Sequence, residues 1–303
     1  MENKSSINFE KINLIKKIKF PEFEEATCII VLQDGRIAAA CQDGVIRVYD
    51  PKNDFHIDLV IGMQNCIESI IQLPNGKLVS ASYNSIMVWN LTKNTYNCEY
   101  ELETGNDITK LINLSKDRFA CCNKVINIYS SKYPYNLIKT LDDGNEYISI
   151  AAFKDKEVLI SAPQLTFWDL DKYEVQQTIN GTPCKTNNDL IVTSTNKIIL
   201  GSDSKLIIFD IASNQIEYTI EDNTIYEIHS VMELQDGTIV AGNDRGCLYQ
   251  FNIDKLTIKI KELMRDTEHN DKIKAISIID ETSICVSEID YSASFISFWT
   301  MKA

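Results

Sequence analysis

Three features of the sequence predict an all-β fold, a ring of seven copies of one unit with four antiparallel strands. First, an aromatic–polar dipeptide recurs at Tyr49-Asp50, Trp89-Asn90, Tyr129-Ser130, Trp168-Asp169, Phe209-Asp210, Phe251-Asn252 and Trp299-Thr300. The successive spacings are 40, 40, 39, 41, 42 and 48 residues, close to the roughly 40–45-residue period of a β-propeller blade. Second, Asx-Gly pairs stand between alternating apolar runs rich in β-branched residues. Third, no long segment carries a helical period. The fold class is therefore a seven-bladed β-propeller.

The chain opens on INLIKKIKF, residues 12–20, an apolar strand with no neighbour in sequence to pair with. The first full unit follows. Residues 29–50 read IIVLQDGRIAAACQDGVIRVYD: an apolar strand, the Asp34-Gly35 turn, a second strand of small residues, and a third ending on Tyr49-Asp50. Residues 70–90 repeat the pattern around Asn75-Gly76, and residues 231–252 around Asp236-Gly237. Asx-Gly supplies the positive φ that a two-residue hairpin needs. Outer strands follow the aromatic endings, as FHIDLVIG, NLIKTL, EVQQTI and QIEYTI. The fifth unit is too irregular at its turn to be aligned. In the seventh, KELMRDTEHNDK and SEIDYSASF lengthen two connections. That unit stops at FISFWTMKA, a third strand with no outer strand after it. An unpaired edge is a liability, so the orphan strand at about 12–20 is expected to complete the blade that ends at 299. With six prolines and no Gly/Ser-rich stretch there is no linker, and residues 1–303 read as a single domain.

Composition narrows the classes of function. Hydrophobic residues make up 44 % and charged residues 24 %, ordinary for a globular protein with a large core. No run of about 18 apolar residues offers a membrane span, and the N-terminal segment lacks the apolar core of a secretory signal. A cytoplasmic location is expected, with the nucleus as the alternative. The cysteines at 28, 41, 66, 98, 121, 122, 184, 247 and 285 form no Cys-x-x-Cys pair, and free, mostly buried thiols are expected. Net charge is −13. Such a surface repels phosphate backbones and anionic lipid, so neither nucleic acid nor membrane is expected as partner. It favours a basic one.

The segment LPNGKLVSASYNSIMVWN resembles the WD-repeat (WD40) family. That family's blades carry an x-Asp/Asn-Gly turn, a Ser-containing second strand and a third strand ending Trp-Asp. The resemblance runs over the chain from residue 12, as that of a divergent member. Three of the seven aromatics are Trp, and no repeat has the family's Gly-His dipeptide. In the family, a His before the first strand joins a Ser, an Asp and the Trp in a buried network. Here His269, four residues before Ile273, alone takes that His position, while Asp43, Asn84, Asp203 and Asp244 keep the Asp position. Apolar packing between sheets is expected to hold most blades instead.

No catalytic signature is present: no Gly-x-Gly-x-x-Gly, phosphate loop, His-Glu-x-x-His or Gly-x-Ser-x-Gly. Three histidines leave little for a metal site. Acidic pairs such as Asp142-Asp143 and Glu24-Glu25 read as solvated turns. No enzyme, cofactor or metal is expected. Alignment of the blades on their turns puts Thr27, Glu68, Thr109, Ile148, His229 and Lys274 just inside each first strand, around one mouth of the central channel. This ring mixes hydroxyls, one acid, one His, one Lys and one apolar residue, without convergent acids, bases or ligands. It reads as a recognition surface. Loops on the same face add Tyr147, Tyr226, Arg245 and Tyr291, with Tyr83 among further loop residues; exposed tyrosines suit peptide binding. The expected function is a non-catalytic scaffold or adaptor, a monomeric propeller within a complex, binding a peptide or protein domain at the channel mouth. The alternatives are a structural subunit of a larger assembly (coat, ciliary or ubiquitin-ligase type) using the rim or bottom face, and, behind it, an enzyme with a channel-mouth site.

Overall fold

The computed structural model describes residues 12–20, 24–62, 65–92, 95–105, 107–145, 147, 149–153, 158–162, 164–179, 189–202, 205–221, 227–253, 257–262, 272–289 and 293–300. They form seven four-stranded antiparallel sheets arranged as a propeller. The inner strands of blades 1 to 7 are Ala26–Val31, Ile67–Gln72, Lys110–Leu114, Ser149–Phe153, Leu190–Val192, Ile228–Glu233 and Lys272–Asp280. In blades 1 to 6 the strands follow in sequence from the channel to the rim.

The turns after the inner strands differ from the two-residue hairpin expected. Gly35 N–H donates to the Leu32 carbonyl at 2.9 Å, while Leu32 N–H donates to the Arg36 carbonyl at 2.7 Å. Of the Asx-Gly pair only Gly35 has positive φ, +87°. This is a longer loop with a glycine bulge. The Asp34 side chain caps it by accepting from Arg36 N–H at 3.0 Å. Asn75 does the same for Lys77 at 3.2 Å and Asp236 for Thr238 at 3.0 Å. The Asx residue is thus chosen for its side-chain acceptor, and the Gly for its dihedral.

Seven apolar clusters form the core, one at each junction between blades. The cluster between blades 1 and 2 joins Ala38, Ala40, Ile46, Val48 and Ile61 to Ile67, Ile70, Leu78 and Trp89. The others repeat this around the ring. Close approach explains the small residues of the second strands. A Cβ on Gly201 would sit 2.9 Å from Ile228 Cγ2, and one on Gly242 would run into Ile273. A remnant polar network survives: Trp89 Nε1 donates to Ser80 Oγ at 2.8 Å.

Blade 7 pairs its strands Lys272–Asp280, Ser283–Ile289 and Ser294–Thr300 with an outer strand, Asn13–Lys19, from the other end of the chain. This is the closure expected from sequence. The register marks the added strand as a true equivalent of the other outer strands. In blade 1, Val48 faces Leu59 and Tyr49 faces Ile57, so the outer strand carries one extra residue beside the aromatic. Blades 2 to 5 carry the same bulge. In blade 7, Phe298 faces Lys16 and Trp299 faces Leu14, which puts Ile15 in the same bulge. Polar staples tie neighbouring blades on the opposite face to the channel mouth: Arg36 donates to Thr92 O at 3.2 Å and Arg118 to Leu170 O at 2.9 Å.

Candidate functional site

Each inner strand is the edge of its own sheet, so its outward backbone groups need partners that the sheet does not supply. The neighbouring blade supplies them. Leu111 N–H donates to Ser69 Oγ at 3.0 Å, Val231 N–H to Asp189 Oδ2 at 3.1 Å, and Ile276 N–H to Ser230 Oγ at 3.3 Å. Thr27 Oγ1 donates to the Ile67 carbonyl, and Ser287 Oγ to the Ala26 carbonyl at 2.6 Å. Polar side chains at the start of the inner strands are therefore part of what holds the ring rigid.

Above this girdle a cavity of about 710 Å³ is lined from all seven blades. Thr27, Glu68, Thr109, His229 and Lys274, five of the residues singled out from sequence, all contribute to it. In four blades the backbone explains why. The pairing of first and second strands skips one residue between Ala26 and Cys28, Ile67 and Ser69, Ile228 and Ser230, and Ile273 and Ala275. The skipped residues are Thr27, Glu68, His229 and Lys274. A bulge frees its residue from the pleat and re-aims the side chain.

The next residue of each inner strand forms a second tier. Lys110 crosses it from blade 3. Its Nζ donates to Ser149 Oγ in blade 4 at 3.2 Å and pairs with Asp189 in blade 5. With Lys110 and Asp189 paired, the remaining charged lining is Glu25, Glu68 and Glu227 against Lys274. None of these four is in an ion pair among the described residues. Glu25 accepts from Gln42 Nε2 at 2.8 Å, and Glu68 from Cys66 Sγ at 3.3 Å. The cavity is thus net acidic.

His229 is half-buried, and its Nε2 is buried with no hydrogen-bond partner. Burial, then the charge of Lys274, pushes its pKa below the ordinary 6.5, so the ring is neutral at pH 7. An unmet buried polar atom costs about 1–3 kcal/mol. The channel thiol of Cys28 is pushed up by burial, and burial together with Glu68 raises Cys66 to about 12. Neither is activated as a nucleophile. The eight described cysteines are free; Cys184 lies outside the described residues. Among the described residues no group of three His, Cys, Asp or Glu is gathered as a metal site would need.

Other residues singled out from sequence fall elsewhere. Tyr147, expected to be exposed, is buried at 3 % exposure. Its ring packs edge-on to Trp168 at 6.3 Å, and its hydroxyl pairs with Asp143. It fills the apolar slot that Ile108 and Ile228 fill in other blades, so it belongs to the core. Arg245 is exposed on the turn before Gly246 and does not line the cavity. Tyr83 is 61 % exposed. Ile148, Tyr226 and Tyr291 lie outside the described residues, as do His269 and Asp203.

Sequence reasoning missed Glu25, Lys110, Asp189 and Glu227. Asp189 escaped because blade 5 turns on Asn196, with φ +62°, in place of a glycine. Asn196 N–H donates to Thr193 O at 3.0 Å, as glycine does in the other turns. Aligning on a Thr-x-x-Asn turn would have found it.

A family model described as "Domain of unknown function (DUF5074)" matches residues 125–294, more than half of the chain, from the third strand of blade 3 into blade 7. No curated protein matches the chain.

Proposed function

The chain belongs to the family described as "Domain of unknown function (DUF5074)", and we propose that it is a non-catalytic interaction platform that binds a basic peptide segment at the channel mouth. One observation carries this reading: three carboxylates, Glu25, Glu68 and Glu227, line a rigid cavity with Lys274 as the remaining cation outside an ion pair. A positively charged side chain gains most from such a pocket. The girdle of inter-blade hydrogen bonds holds the pocket in place before binding, which lowers the ordering cost. The net charge of −13 would steer basic partners towards it.

Kinship with WD-repeat proteins is part of this proposal. It is supported by the Asn75-Gly76 turn and by the Trp89–Ser80 hydrogen bond in blade 2. So are the absence of catalysis and a cytoplasmic setting; the raised thiols of Cys28 and Cys66 favour the first. A second reading, a subunit docked through its rim, draws on exposed apolar residues of two adjacent outer strands: Leu14 and Ile15 in blade 7, Ile57 and Val60 in blade 1.

The test is a peptide array of varied sequence probed with the purified chain and with a Glu25→Gln, Glu68→Gln variant. The proposal expects signal concentrated on Lys- and Arg-bearing peptides and lost in the variant, with an unchanged melting temperature. Equal signal from both proteins would remove the channel mouth as the binding face.

A further inference from the structure

We propose that the channel cavity takes the free carboxyl terminus of a chain whose last residue is Lys or Arg. This rests on the reading above and makes it more specific. The cavity has two poles. Glu25, Glu68 and Glu227, of blades 1, 2 and 6, make the negative one, and Lys274 of blade 7, with His229 of blade 6 beside it, the positive one. The second pole does not suit a basic side chain. Its ammonium is in no ion pair or hydrogen bond among the described residues, and the His229 ring beside it lines the same cavity. Both side chains sit on bulges of neighbouring inner strands, aimed at the cavity.

The Lys274 ammonium is a cationic donor without an acceptor among the described residues. A carboxylate is the complement, with two oxygens and one negative charge. Glu227, which the imidazole also feels, does not fill that role, since it pairs with neither group.

Charge decides between a chain end and an internal segment. Lys110, Ser149 and Asp189 bridge three consecutive blades one residue below the mouth and satisfy one another. An internal segment offers no free carboxylate to Lys274. A terminal Lys or Arg enters head-on and carries both required charges on one residue. The volume of about 710 Å³ accommodates it, within the range of about 300–1,000 Å³ usual for small-ligand sites.

Calorimetry on the full chain tests this with four probes: acetyl-Gly-Gly-Lys as the free acid, its C-terminal amide, acetyl-Gly-Gly-norleucine as the free acid, and free L-lysine. The amide and the norleucine peptide should each bind about tenfold more weakly than the lysine acid, the loss expected for one charge-assisted contact. Lys274→Met should abolish the preference for acid over amide and keep that for lysine over norleucine. Glu68→Gln should do the reverse. Simple misfolding would remove both preferences together. Equal binding of acid and amide overturns the carboxylate pole, and a surviving lysine preference would then leave the broader reading standing. Binding of free lysine without the acetylated peptide overturns the chain-end proposal in favour of a free basic amino acid. If no probe binds, the chain-end proposal falls, and the peptide array decides the broader reading.

Discussion

At Gly242 the second strand of blade 6 lies against Ile273 of blade 7, and a Cβ there would overlap Ile273 Cγ2 and Cβ. The obstacle is a branched core side chain that cannot swing away. Gly242→Ala should therefore destabilise the chain by about 1–3 kcal/mol, the usual cost of overpacking. Gly62→Ala, where a Cβ meets nothing within 4 Å, is the control and should leave the urea midpoint nearly unchanged. His229 gives a prediction in pH. Its pKa is held below 6.5 by burial and by Lys274, while in the unfolded chain it returns towards that value. The unfolded state then binds the proton more readily. The neutral folded ring contributes fully above pH 6.5, and stability is lost as pH falls from there through the lowered folded value. Denaturation midpoints of the wild type should fall over that window more steeply than those of His229→Gln. Parallel profiles would show that the imidazole does not titrate as its surroundings require.

The inner strand is the element that turns sequence into a site. Its first residues do two tasks, aiming into the cavity and bonding the neighbouring blade, and Thr27, on a bulge, does both. Thr27, Glu68, His229 and Lys274 were legible because they stand a fixed distance before the turn. Ring position follows from spacing alone. The bulges were not legible, since a skipped register leaves no mark in composition. The burial of Tyr147 was not legible either. A tyrosine before an inner strand can face solvent or fill the junction, and here the edge of Trp168 decides. Asn196 marks where turn reading failed for lack of a glycine. Its φ of +62° suits Asn and Gly but not a β-branched residue. Asn196→Gly should keep full stability. Asn196→Val should cost about 1–3 kcal/mol, the price of a side chain forced left-handed, read from chemical denaturation.

At the scale of the whole ring, the closing strand brings a charge to a buried carboxylate of blade 7. Glu288 in the second strand of blade 7 has no solvent exposure. Its carboxylate accepts from Ser297, which in turn accepts from Trp299 Nε1 at 2.7 Å. Its counter-ion is Lys17 at 2.7 Å, from Asn13–Lys19, and the ammonium also lies 4.2 Å from the Phe295 ring centroid. An ion of one charge buried in the second-to-last strand thus calls for a partner from the other end of the chain. Removing residues 1–20 would strip the edge of Ser294–Thr300 and strand that carboxylate together. The truncated chain should melt lower and self-associate as concentration rises; an unchanged melting temperature in a monomer would refute closure by this strand. Lys17→Met separates charge from strand. It should destabilise by about 3–5 kcal/mol, because a buried carboxylate is left without a counter-ion. Adding Glu288→Gln should recover much of that loss, since a neutral amide needs no counter-ion. If the double variant is no more stable than Lys17→Met, the strand closes the ring by pairing and packing, and the ion pair adds nothing to it.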